Sequence, residues 1–276
     1  MKYGCFFLVT LFILTACNGT DEGSQIIRNQ EYKSKEKTEV KRDFVATKKL
    51  EDDLTIKWFL TGKGERIMDG DVILIDYKVK LKDGKVVDGN HLIGKQSLPF
   101  LVGYGLQTKG WDLALKEMRV GDDALVIIPS QLARGEVGVK GYIPPNSDNY
   151  LEIKVIRKLK PSKEINGTKV WLLEESKKGK LRFGPNKTIL FHTMASTQTN
   201  QLFVNTYRNN QPFSYVMGDK GLVPGLQNAL TNAKKWDRMY VVVPAEEAYG
   251  TNGYLDIVAP NQSVFYNLLV MDVRKN

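Results

Sequence analysis

The stretch from Gly103 to Pro129, GYGLQTKGWDLALKEMRVGDDALVIIP, is answered without a gap by GDKGLVPGLQNALTNAKKWDRMYVVVP, from Gly218 to Pro244. At this offset of 115 residues Gly103/Gly218, Gly110/Gly225, Ala114/Ala229, Leu115/Leu230, Asp122/Asp237, Val126/Val241 and Pro129/Pro244 coincide. The offset holds through Gly135/Gly250, Gly138/Gly253, Pro145/Pro260 and Asn146/Asn261. So long a period marks a duplicated domain rather than a solenoid of short repeats, and each copy has an ordinary size for one core. The seam falls at the polar, turn-rich KPSKEING, from Lys160 to Gly167, which sets domains at residues 48–162 and 163–276. One exchange inside the repeat stands out: Trp111 becomes Leu226.

Within the first copy, VILIDYKVKL (Val72–Leu81) alternates apolar and polar residues and is rich in β-branched side chains, which predicts a strand. KDGK (Lys82–Lys85) predicts a hairpin turn, because Asp-Gly tolerates the positive φ angles of a tight reversal. ALVIIP and YLEIKVIRKL predict two further strands, and Trp111, Leu115 and Met118 fall on one face of a short helix. The second copy repeats the order with KTILFHTMA, a stripe of Leu226, Leu230 and Ala233, MYVVVP and VFYNLLVMDV. Strands wrapped around a single helix, twice over, give an α+β class.

The first sixteen residues read as a signal rather than as part of the fold. Lys2 precedes an apolar run from Cys5 to Leu14, too short for a membrane-spanning helix. The LTAC ending at Cys17 resembles a bacterial lipoprotein box, which implies an acylated Cys17 and a lipid-anchored protein of the cell envelope. Residues 17–47 are charged and poor in large apolar side chains, and read as a flexible tether. With Cys5 and Cys17 the only cysteines, the mature body has no thiol for a disulfide or a thiolate metal site. His91 and His192 stand apart from any carboxylate cluster, so no metal or other cofactor is expected. The net charge of +9 is spread among acids, as in KSKEKTEVKRD, which reads as solvated surface rather than a nucleic-acid face.

The order DYKVKLKDGKVVDG, LPF, KGWDLALKEMRVGDDALVIIP, LARGEVGVKGYIPPN resembles the FKBP-type peptidyl-prolyl cis-trans isomerases over about Leu54 to Leu159. QPF, VPGLQNAL, VVVP, EEAYG and APN give the second copy the same resemblance, more weakly, from about Val170 to Val273. The resemblance implies two tandem FKBP-like domains, each an antiparallel sheet around one helix, acting on proline-containing segments of unfolded or exported proteins. In the first copy it implies Trp111 as the floor of an apolar cup, Tyr77, Phe100 and Ile143 as walls, Asp88 as a carboxylate beside the substrate carbonyl, and the backbone amide of Thr108 as a donor. Val87, Gln107, Tyr142 and Leu151 would line the substrate path. Arg134 stands where the family usually has Tyr. The expected cup is therefore wider and less aromatic than usual.

In the second copy Phe203, Phe213, Val223, Tyr249 and Tyr266 fit the family pattern, whereas Leu226 replaces the Trp, His192 the strand Tyr and Val204 the Asp. The second pocket is expected to be degenerate, and His192 to be a satisfied core histidine. Two functions follow: an isomerase with its site in the first copy, or a non-catalytic peptide-binding chaperone or envelope scaffold.

Overall fold

The structure, a computed structural model, describes residues 42–276. The signal segment, Cys17 and nearly all of the tether lie outside the described residues. The first unit contains β1 (Ala46–Lys49), β2 (Thr55–Leu60), β3 (Val72–Lys80), β4 (Val86–Gly89), β5 (Leu98–Leu101), α1 (Lys109–Leu115), β6 (Asp123–Ile128) and β7 (Asn149–Lys158). The second contains β8 (Lys163–Ile165), β9 (Thr168–Glu174), β10 (Lys187–Ser196), β11 (Val204–Asn205), β12 (Phe213–Val216), α2 (Pro224–Leu230), β13 (Arg238–Val243) and β14 (Val264–Lys275).

Each unit is one antiparallel sheet. The orders are β1-β2-β6-β7-β3-β4, with β5 also on β3, and β8-β9-β13-β14-β10-β11, with β12 also on β10. The two lists correspond strand for strand, so the duplication extends to topology. The alternation of β3 does what period two demands: Ile75, Tyr77 and Val79 are buried, while Asp76, Lys78 and Lys80 between them are only partly so. Gly84, at φ 85°, donates to the carbonyl of Leu81 and closes the predicted reversal. Both helices are shorter than their apolar stripes. Met118 and Ala233 lie one turn beyond the helical ends, yet stay buried.

The repeated residues serve the backbone. Each helix lies so close to its sheet that a Cβ on Gly110 would collide with Ile128, and one on Gly225 with Val243 and Thr168. Asp122 accepts from Trp58 Nε1 (2.9 Å), Gly62 N (2.6 Å) and Arg119 N (2.9 Å). Asp237 accepts from Ser176 N (2.9 Å) and Lys234 N (2.8 Å) at the matching corner. Gly135, Gly138 and Asn146 have positive φ, and so do Gly250, Gly253 and Asn261.

The sheet register departs from the constant sequence offset. Ile73 pairs with Phe100 and Ile189 with Tyr215; Tyr77 pairs with Ile153 and Thr193 with Leu268. The bulges agree, at Leu74/Ile75 and Leu190/Phe191. β10 is therefore offset by 116 from β3, while β12, β13 and β14 keep 115. Thr193 is the counterpart of Tyr77, Tyr215 of Phe100 and Val204 of Asp88.

The units pack against each other. Trp171, Tyr240 and Phe265, from the outer face of the second sheet, are buried in one cluster with the first core. Tyr104 meets the Phe265 ring at 5.9 Å, Trp171 Nε1 donates to Leu159 O at 2.8 Å, and Tyr240 OH donates to Pro99 O at 3.4 Å. This is why β14 is buried on both faces where β7 alternates.

Order begins earlier than the composition implies. β1 starts two residues inside the expected tether, and Arg42 bonds Asp123 at 2.7 Å while lying 3.7 Å over the Phe59 ring. Phe44 stacks on the same ring at 4.8 Å. Two aromatic rings and an ion pair hold a segment whose charged composition alone reads as linker.

Candidate active site

Trp111 sits in the first turn of α1, where its N–H closes onto Thr108 O at 2.9 Å. Asp112 holds the preceding loop against the helix by accepting from Gly103 N (2.8 Å) and Gly105 N (3.0 Å). Burial pushes its carboxyl above the usual range, against the pull of those two amides. The sequence reading missed Asp112, although a carboxylate buried one turn into a helix is a detectable signal. It also missed Asn90, whose Oδ1 accepts from Tyr77 N at 2.7 Å and whose Nδ2 donates to Lys95 O at 2.9 Å. Thr206 does the first job in the second unit, accepting from Thr193 N at 2.8 Å.

Around Trp111 the expected residues converge. Tyr77 meets its ring edge-on at 5.1 Å and Phe100 stacks on it at 5.5 Å. Tyr77 OH donates to Asp88 Oδ1 at 3.2 Å, which also accepts from Gly89 N at 2.7 Å. Burial raises the Asp88 carboxyl above its ordinary range, opposed by those two bonds and by the nearby Arg134 charge. The Tyr77 phenol is pushed far up, first by burial and then by Asp88.

The cup is divided rather than wide, which corrects the expectation. Gln107, whose Oε1 accepts from Arg134 at 2.9 Å, stands between its two sides. Two small voids remain. One, of about 10 Å³, lies against Tyr77, Phe100, Leu106 and Trp111. The other, of about 20 Å³, lies against Val79, Asp88, Thr108, Arg134, Ile143 and Asn149. Gln107 and Trp111 line both. Each has room for roughly one water. Into the second side of the cup face two buried oxygens with no protein partner, Thr108 Oγ1 and Asn149 Oδ1.

Three of the proposed substrate-path residues lie elsewhere. Val87 is the extra residue of a bulge opposite Val79 and Lys80, buried in the core, and lines neither void. Leu151 is wholly buried in the inner sheet. Tyr142, 49% exposed, faces an outer groove shared with Lys85 and Val137.

The second cup differs at nearly every matching position. Thr193, Val204 and Leu226 stand where the first has Tyr77, Asp88 and Trp111, and Val223 is the N-cap of α2. Tyr266 is buried at the position of Leu151, opposite the small Ala195. Tyr266 and the half-buried Tyr249 share a hydrogen bond, and burial raises both phenols. Phe203 is partly buried against the second core.

Two expected members of this cup are not in it. His192 is a neighbour of Thr193 on an alternating strand and so points to the opposite face. There it stacks on Tyr207 at 4.6 Å, and its Nδ1 lies 3.0 Å from Thr206 Oγ1. Burial holds it below the ordinary histidine range. Phe213 is 44% exposed, while Tyr215, 4% exposed, occupies the position of Phe100.

A family model described as FKBP-type peptidyl-prolyl cis-trans isomerase matches residues 63–156 and 179–271. Among curated relatives, the chain is 28% identical over 206 residues to peptidyl-prolyl cis-trans isomerase FKBP10 of Homo sapiens, covering 75% of this chain and 35% of that protein. It is 39% identical over 94 residues to FKBP53 of Arabidopsis thaliana, covering 34% of this chain and 19% of that protein. The chain thus spans about a third, or less, of the length of these relatives. A solved structure of the three FKBP domains of wheat FKBP73 matches with 24% identity and a TM-score of 0.41, covering 81% of this chain and 95% of that one.

Proposed function

We propose, from the premise that the chain belongs to the FKBP-type peptidyl-prolyl cis-trans isomerase family, that its first unit isomerises X–Pro bonds and its second is an accessory domain. The observation that carries this reading is the Trp111 cup, with Tyr77, Phe100 and Asp88 in contact around it.

Amide resonance gives the X–Pro bond a barrier of about 18–20 kcal/mol. At the top of that barrier the carbonyl is no longer conjugated with nitrogen and the twisted bond is less polar. A dry aromatic floor therefore favours the twisted form over the planar one, which is differential binding of the transition state. Trp111 and Phe100 would hold the pyrrolidine ring, the Thr108 N–H would orient the chain, and Asp88 would face the carbonyl carbon of the preceding residue. No covalent step is needed. Trp111 is only 2% exposed, so admission of a proline ring requires the side chains over it to move.

The second unit supports an accessory role because it lacks the Trp, Tyr and carboxylate together and because its outer face packs beside the Pro99–Phe100 wall. The signal-like first sixteen residues and Cys17 support a lipid anchor in the cell envelope, where exported chains with slow proline steps would be the clients. Labelling with palmitate that is lost in Cys17→Ser tests the anchor. For the activity, cis/trans exchange of a proline peptide is followed by NMR with the full chain at catalytic concentration. Acceleration supports the isomerase; peptide binding without acceleration leaves a peptide-binding chaperone in its place.

A further inference from the structure

Arg134 has an unusual position for a charged side chain. It starts in the loop after β6, lines the side of the cup that holds Asp88 and Ile143, and donates there to Gln107 Oε1 at 2.9 Å. The matching residue of the second unit is Tyr249, whose partner is the nearby phenol of Tyr266. A guanidinium carries five donors and no acceptor. Asp88, on the same side of the cup, acts on it through its charge, while its Oδ1 accepts from Tyr77 OH and Gly89 N.

Gln107 Oε1 is a neutral acceptor and meets one of those donors. The guanidinium lines the second void with Val79, Asp88, Trp111, Ile143 and Asn149, and a charged donor left unmet there costs more than a neutral bond gives. A substrate that brings its own anionic acceptor removes that cost, and a neutral one does not. The Thr108 hydroxyl, buried without a partner on the same side of the cup, supplies a second donor to the same acceptor.

Resting on the isomerase reading above, we propose that Arg134 is the specificity-determining residue of the first cup, selecting segments that carry a carboxylate side chain next to the proline. A substrate ammonium is rejected by the same group, and a Gln side chain can accept only a neutral bond. Charge-assisted bonds in desolvated sites exceed neutral ones by enough to give about a tenfold preference for Glu over Gln.

The test uses the full chain and four blocked peptides with Glu, Gln, Leu or Lys before proline. Exchange rates by NMR and dissociation constants are measured in the same samples. The wild type should favour Glu over Gln about tenfold and Lys least, and Arg134→Met should bring the Glu:Gln ratio close to one, whatever it does to the Gln value. Arg134→Tyr, which installs the residue the chain uses at position 249, should do the same. A wild-type ratio near one, or a ratio that survives both substitutions, overturns the assignment. Absence of turnover with every peptide overturns the isomerase reading alone, because the Glu:Gln ratio of dissociation constants still decides the role of Arg134.

Discussion

Replacing Asp88 by Asn should make the protein more stable at neutral pH. Burial is the largest influence on this carboxyl and raises its affinity for a proton above the ordinary range. In the unfolded chain an Asp titrates near 3.9. Below that pH both states are protonated and the buried carboxyl carries no charge penalty. As pH rises through the raised folded value, the folded state must hold a desolvated anion, and stability is lost relative to an uncharged side chain. Each pH unit of displacement is worth about 1.4 kcal/mol. Asn keeps an acceptor for Tyr77 OH and Gly89 N, so those bonds survive the exchange. Against the gain stands Arg134, which loses its nearby counter-charge. The net expectation is about 1 kcal/mol in favour of Asp88→Asn at pH 7, or roughly 2–4 °C in Tm, shrinking to nothing by about pH 3.5. Urea unfolding of both proteins across pH 3.5–8 reads it. A variant equally or less stable at pH 7, with an unchanged pH slope, refutes the claim that the cup is held at the expense of a buried anion.

Other consequences are structural. Gly110→Ala should cost about 1–3 kcal/mol in denaturant unfolding, since its methyl group must displace Ile128 or lift α1 from the sheet. Asp122→Ala removes one acceptor from three donors and should cost about 3–5 kcal/mol by the same measurement, more than Asp237→Ala, which strands two. Phe265→Ala should cost about 3–5 kcal/mol and separate the unfolding of the two units into distinct calorimetric transitions, because that ring bridges Tyr104 and Tyr240.

The duplicated architecture was legible because the repeated residues answer needs of the backbone that tolerate few substitutes. Gly110 and Gly225 permit close approach, Asp122 and Asp237 hold a corner, and the positive φ angles of Asn146 and Asn261 recur in one loop. The first cup was legible for a related reason: Trp111, Tyr77, Phe100 and Asp88 sit on elements whose spacing their neighbours determine. The second cup was misread at two positions, His192 by carrying the constant offset onto β10 and Phe213 by leaving it on β12. Strand side chains alternate, so a one-residue slip turns a side chain to the other face; the cup therefore receives Thr193, and His192 points away. Phe213 was matched through its Pro-Phe dipeptide, while pairing with Ile189 falls to Tyr215. Val87 escaped because a bulge is invisible to periodicity. The docking of the two units had left a sign that periodicity could have caught, the run VFYNLLV in β14, apolar but for Asn267, against the alternating YLEIKVI of β7.

The central claim, that the two copies share a fold and differ in chemistry, turns on the exchange of Trp111 for Leu226. The direct measurement is NMR exchange of a proline peptide by the full-length wild type, by Trp111→Leu and by Leu226→Ala. The account predicts that Trp111→Leu, which gives the first cup the floor of the second, lowers the exchange rate at least tenfold, while Leu226→Ala leaves it within twofold of wild type in protein that is still folded. A first-cup variant that keeps full activity, or a second-cup variant that loses it, would contradict the account.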